Sequence, residues 1–140
     1  MIFVKGGKRW QRKLVEDIAI FCYNELMPLI RKCEVNINIK SMKGYEGTCL
    51  DTDEREYQID VNKNQSLENI LVTICHEMVH VKQFIRKELY SECIFYKTHD
   101  EYLNLPWEVE AYARQEELFK KWLTKTTMNF RKLKLSEERL

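Results

Sequence analysis

Residues 66–87 read SLENILVTICHEMVHVKQFIRK, and the architecture turns on how this stretch folds. Ser66 has the side chain of an N-cap, and Glu68 follows in the first turn, where a negative charge favours the positive end of the helix dipole. A helix is therefore predicted from Ser66 to about Lys87. On its wheel Leu67, Leu71, Ile74, Met78, Val81 and Ile85 form one apolar stripe, with His76 and His80 nearly opposite. Val72, Cys75 and Val79 extend the apolar surface around one side, so most of this helix should be buried. Two imidazoles in such an element need partners, because an unpaired buried polar group is costly.

His76-Glu77-Met78-Val79-His80 is an H-E-x-x-H sequence. A spacing of four puts both imidazoles on one face, a turn apart, where two ring nitrogens can reach one ion. Glu77 lies about 100° further round, beside the metal without binding it, as befits a general base for metal-bound water. A lone histidine in a helix is more often structural than a ligand. The pairing at this spacing, within an apolar surround, favours the metal. A catalytic zinc takes three protein ligands and keeps a fourth position open, so a further ligand should lie downstream. Pro106 is well placed to start a helix that carries Glu108 and Glu110 early. These two carboxylates diverge by about 200°, so one at most can face the ion. Glu110 is preferred because the small Ala111 beside it would let the helices approach closely; Glu108 and His99 remain alternatives. For the carboxylate left out, a favourable charge in the first turn is explanation enough.

Upstream, Trp10, Leu14, Ile18, Phe21, Cys22 and Leu26 recur at helical spacing and predict a helix from about Lys8 to Lys32, interrupted near its end by Pro28. Val35, Ile37 and Ile39 alternate with polar residues over 34–40, and Tyr57, Ile59 and Val61 do so again, each as a half-buried strand requires. Gly44 and Gly47 bracket a turn, with a short strand expected around Thr48 to Leu50. An irregular stretch is expected from about Tyr90 to Leu105, followed by a last helix from Trp107 to about Lys125 that carries Ala111, Leu118, Phe119 and Trp122. The expectation is one α+β domain spanning 1–140, in which an antiparallel sheet of two or three strands packs against three main helices. Residues 126–140 form a loosely ordered basic tail in this reading.

His76-Glu77-x-x-His80, followed by a helix that reads Glu110-Ala111, resembles the gluzincin clan of zinc peptidases, whose third ligand is a glutamate on a following helix. Length and element order resemble the minigluzincins and, more loosely, the ImmA/IrrE group of bacterial metallopeptidases. The match covers roughly residues 34 to 123. Where thermolysin-like enzymes carry an acidic residue after the Glu-Ala pair, this chain has Arg114, which leaves the subfamily open. The resemblance implies a zincin-like fold, one Zn2+ per chain held by His76, His80 and Glu110, and Glu77 as the catalytic base in peptide-bond hydrolysis. It also implies a peptide or protein substrate laid as an added strand along the sheet beside the metal helix, against either Tyr57 to Val61 or the strand near Thr48.

Charge adds little to this reading. Lys plus Arg (23) nearly balance Asp plus Glu (22), so no net field draws the chain to nucleic acid or an anionic membrane. Basic residues do gather at both ends: Lys5, Lys8, Arg9, Arg12 and Lys13, then Lys120, Lys121, Lys125, Arg131, Lys132 and Lys134. If they met they would make a nucleic-acid patch reminiscent of SprT-like metallopeptidases; a solvated face is the preferred reading. The alternative function is a non-catalytic zincin-fold binding or regulatory module, for which contact with nucleic acid through those ends is one option. Cys22, Cys33, Cys49, Cys75 and Cys93 are odd in number and show no close pairing, which suggests reduced thiols and a cytoplasmic protein. The opening MIFVKGGKRWQRK is too short and too basic for a signal peptide, and no apolar run approaches the length of a membrane span. Cys75, next to His76, is best read as core packing. His99, Tyr102 and Tyr112 are candidate hydrogen-bond donors to a developing oxyanion, against the plainer readings of a loop histidine and packed tyrosines.

Overall fold

A computed structural model of the chain describes residues 1–89 and 98–126. Cys93, the first part of the expected irregular stretch and the basic tail beyond Thr126 lie outside the described residues. The element order is β1 (Ile2–Gly6), α1 (Arg9–Leu26), β2 (Glu34–Lys40), β3 (Gly47–Asp53), β4 (Glu56–Asn62), α2 (Leu67–Ile85), α3 (His99–Leu103) and α4 (Pro106–Lys125).

The four strands form one sheet in the order β1-β2-β4-β3. In β2 and β4 the alternation seen in the sequence is the burial pattern, with Val35, Ile37, Ile39, Tyr57, Ile59 and Val61 all turned into the core. α1 and α2 cover that face, α1 through Val15, Ile18, Ala19, Cys22 and Leu26. α4 packs on α2 from beyond.

The expected antiparallel sheet of two or three strands is corrected to a mixed sheet of four. β1 runs parallel to β2 and β2 parallel to β4; only β3 and β4 pair antiparallel. Parallel neighbours need a long crossover. α1 supplies it between β1 and β2. Between β2 and β4 the chain runs out to the sheet edge as β3 and returns through a tight turn at Glu54-Arg55, inserting β4 beside β2. The end of β1 is committed to this packing: Gly6 has φ +83°, and a Cβ there would lie 2.1 Å from the Ile39 carbonyl oxygen.

α1 stops at Leu26 rather than running to Lys32. Met27 leaves the helical region (φ −140°, ψ 54°) because the ring of Pro28 disfavours that region in the residue before it. α2 begins as read from the sequence, the Ser66 hydroxyl accepting the Asn69 backbone N–H at 3.2 Å. Pro106 opens α4. Among the described residues no helix is long and apolar enough to cross a membrane.

Candidate metal centre

α2 brings His76, Glu77 and His80 into the interior, each less than a tenth exposed, and the first turn of α4 sets Glu108, 3% exposed, against them. His76 Nε2 and His80 Nε2 are 3.2 Å apart. Glu108 Oε1 stands 2.9 Å from His80 Nε2, and Oε2 stands 3.2 Å from His76 Nε2. One ligand atom from each residue lies within 4.8 Å of the others. Tetrahedral zinc with bonds of about 2.0–2.1 Å would hold its ligand atoms about 3.3 Å apart, close to these separations.

Proton positions strengthen the fit. Gln83, fully buried, donates its amide N–H groups to Trp107 O (2.9 Å) and Glu110 Oε1 (2.8 Å), which leaves its oxygen facing His80 Nδ1 at 2.7 Å. Nδ1 of His80 must then carry the proton and donate it, so Nε2 of a neutral ring presents a lone pair to the site. His76 Nδ1 meets Gln115 Oε1 at 2.8 Å in the same sense. Both Nε2 lone pairs therefore point at each other and at a carboxylate, whose Oε2 is buried without a hydrogen-bond donor. The 3.2 Å approach of His76 to that oxygen is then two acceptors facing each other. A cation set among these electron pairs would relieve their convergence, and two imidazoles with one carboxylate are a donor set that could hold a metal ion such as zinc.

Titration describes the same site with protons in place of an ion. Burial raises the Glu108 carboxyl, but the contacts from His76 and His80 outweigh it and hold the group down at about 2. For His80 burial is the largest influence and lowers the value, yet Glu108 and Glu77 together leave it above the ordinary histidine value. Burial is also the main influence on Glu77 and raises its carboxyl, partly offset by His80 and His76.

Glu77 lies beside the three-residue set without belonging to it, as its position on the wheel required. It lines a cavity of about 890 Å³ together with His76, Thr73, Gly47, His99, Tyr102 and Tyr112. β3 begins against this point, since a Cβ on Gly47 would fall 2.5 Å from Thr73 Cγ2 and 3.4 Å from Glu77 Oε1.

The expectation for Glu110 is corrected: it is turned away from the set. Its Oε2 takes the Lys82 ammonium at 2.8 Å and Arg114 at 3.5 Å, while Oε1 takes Gln83. α4 faces α2 with Glu108, Ala111, Gln115, Phe119 and Trp122, a stripe at helical spacing that includes Glu108 and leaves Glu110 about 200° round. Ala111 does permit close approach of the helices, but for Glu108. His99 is exposed at the start of α3, its ring stacked on Tyr102. Tyr102 donates its hydroxyl to Glu108 Oε1 at 3.0 Å, and Tyr112 sets its ring edge-on to His76 with centroids 4.6 Å apart. Cys75 is in the core, 3.7 Å from Cys22 Sγ.

Sequence reading passed over Gln83, Gln115 and Lys82. A signal existed for Gln83: with His76 and His80 it continues one face at i, i+4 and i+7, a polar line down an apolar helix. Among the described residues the basic side chains at the two ends do not converge; Arg131, Lys132 and Lys134 lie outside them. Arg12 is spent on the carbonyls of Gly6 and Gly7, near the start of α1. Lys121 and Lys125 pair with Glu25 near its other end, about 20 Å away at 1.5 Å per residue.

Comparison with protein-family models, curated proteins and solved structures finds no match to this chain.

Proposed function

We propose that this chain is a zinc-dependent metallopeptidase in which His76, His80 and Glu108 hold the ion and Glu77 is the general base. One observation carries the reading: a buried His-His-Glu set whose lone pairs converge, with a buried carboxylate that is not part of the set beside it on the wall of a large cavity. Zinc in that place would supply the Lewis acidity that polarises a peptide carbonyl and acidifies a water. Glu77 does the proton work. Its buried carboxylate, raised above the usual range, accepts a proton at Oε1 or Oε2 and returns it to the leaving amine. The Glu108 carboxyl titrates below its ordinary value while that of Glu77 titrates above it, and Glu108 is oriented by the Tyr102 hydroxyl, so it serves binding rather than proton transfer. Tyr112 and His99, on the cavity wall, are placed to donate to a substrate oxygen. β3 is an edge strand whose first residue abuts Glu77, so an extended peptide added along it would pass the base; β4, enclosed by β2 and β3, has no free edge.

Purified protein should carry close to one zinc per chain by elemental analysis and degrade unfolded proteins such as casein. Glu77→Gln should keep its zinc and lose the activity by about 10²-fold or more. Well-folded protein that takes up no transition metal sinks the proposal. Zinc uptake without hydrolysis, unaltered by Glu77→Gln, would instead mark a binding module.

A further inference from the structure

Gln83, fully buried, engages its amide oxygen and both of its N–H groups. Its oxygen accepts from His80 Nδ1, and its two N–H groups go to Trp107 O and Glu110 Oε1. Glu110 is in turn gripped by Lys82, which is 7% exposed and also reaches Glu88 Oε2 at 2.8 Å. Because both acceptors facing the amide nitrogen lack protons to give, the amide cannot flip without setting its oxygen against Trp107 O and Glu110 Oε1, acceptor against acceptor. Its orientation is therefore determined by α4, and so is the tautomer of a histidine on α2.

We infer that Gln83 is a positioning residue that locks His80 as the Nδ1–H tautomer and, with Glu110 and Lys82, couples the readiness of Nε2 to bind metal to the docking of α4 on α2. This rests on the proposal that His80 is a metal ligand. The chain also explains why α4 carries a second carboxylate so close to Glu108. Glu108 meets the ion, and Glu110 holds the amide that aims His80. A ligand imidazole oriented through its other nitrogen binds metal more tightly, and loss of such a partner typically costs about 10–100-fold in affinity.

The test reads the tautomer directly. In metal-free, ¹⁵N-labelled protein, at a pH high enough for the His80 ring to be neutral, long-range proton–nitrogen correlation should show His80 protonated at Nδ1 and bare at Nε2. Gln83→Met should retain the fold by circular dichroism, lose that single-tautomer signature, and bind zinc about 10–100-fold more weakly in competition with a chromophoric chelator. Gln83→Glu alone keeps an acceptor for His80 Nδ1–H but sets its other oxygen against Trp107 O and Glu110, loosening the hold of α4, and should also weaken binding. Combined with Glu110→Gln it restores a donor–acceptor pair between the two positions, so the double variant should recover much of the affinity. Protonation at Nε2 in the metal-free parent overturns the inference even if Gln83→Met fails to fold. So does a folded Gln83→Met with unchanged affinity and tautomer. A parent that binds no zinc defeats the proposed function instead, and the metal-free tautomer measurement still decides the role of Gln83.

Discussion

Glu108 is enclosed by two imidazoles and the Tyr102 hydroxyl, while Glu110, two residues on, lies at the edge of the interface among Lys82, Gln83 and Arg114. Their replacements should separate cleanly. Glu108→Gln removes the proposed anionic ligand and should weaken zinc binding by about 100-fold or more, beyond what loss of an outer partner costs. Glu110→Gln leaves an oxygen able to accept from Gln83 or Lys82. It should weaken zinc binding by only about tenfold or less, and destabilise the protein by about 1–3 kcal/mol through the partly stranded Lys82. Chelator competition and urea unfolding of the two variants measure this; equal losses of affinity would contradict the division of roles. His76, Glu77 and His80 were legible in the sequence because their relation is fixed by the pitch of one helix. The choice between Glu108 and Glu110 depends on which side of α4 meets α2, and Ala111, adjacent to one and three residues from the other, was compatible with either.

At the scale of elements, the long helices and the two alternating strands could be read because each carries its own period of burial. β1 could not. Five residues, Ile2–Gly6, are too few to show a period, and what stabilises them is parallel pairing with β2, a partner lying beyond the whole of α1. The sheet was expected to be antiparallel because consecutive strands usually pair; here β3 is carried to the edge and β4 takes the place beside β2. Where α2 meets that edge, Gly47 makes a close contact. A methyl group there would press on Thr73 Cγ2 at 2.5 Å, so Gly47→Ala should destabilise the protein by about 1–3 kcal/mol, the usual range for overpacking. Thr73→Ala in the same chain should recover most of the loss, giving a clear coupling energy in a double-mutant cycle. Additive effects of the two substitutions would show that β3 is not held at this contact.

For the molecule as a whole, the sheet with α1 and α2 forms a continuous apolar core, and α4 is attached to it unevenly. Leu118, Phe119 and Trp122, the large apolar anchors that α4 adds to the core cluster, all lie in its second half, where Trp122 Nε1 also donates to Asp17 at 2.8 Å. Its first half also buries Trp107 and Ala111, but it closes the site on α2 through the polar contacts of Glu108, Glu110 and Gln115. Without a cation, lone pairs face each other there, so the two halves of one helix should differ in how readily they open. In amide hydrogen exchange of metal-free protein, residues from about Glu108 to Glu116 should exchange faster than those from Leu118 to Lys125. Saturating zinc should slow the first group by at least about tenfold and change the second far less, since a ligand protects most the opening that would release it. Uniform protection along α4, with or without zinc, would contradict this. The helix that completes the site would then be, in exchange terms, a hinged flap with its fixed end at Trp122 and a clasp that closes on the ion.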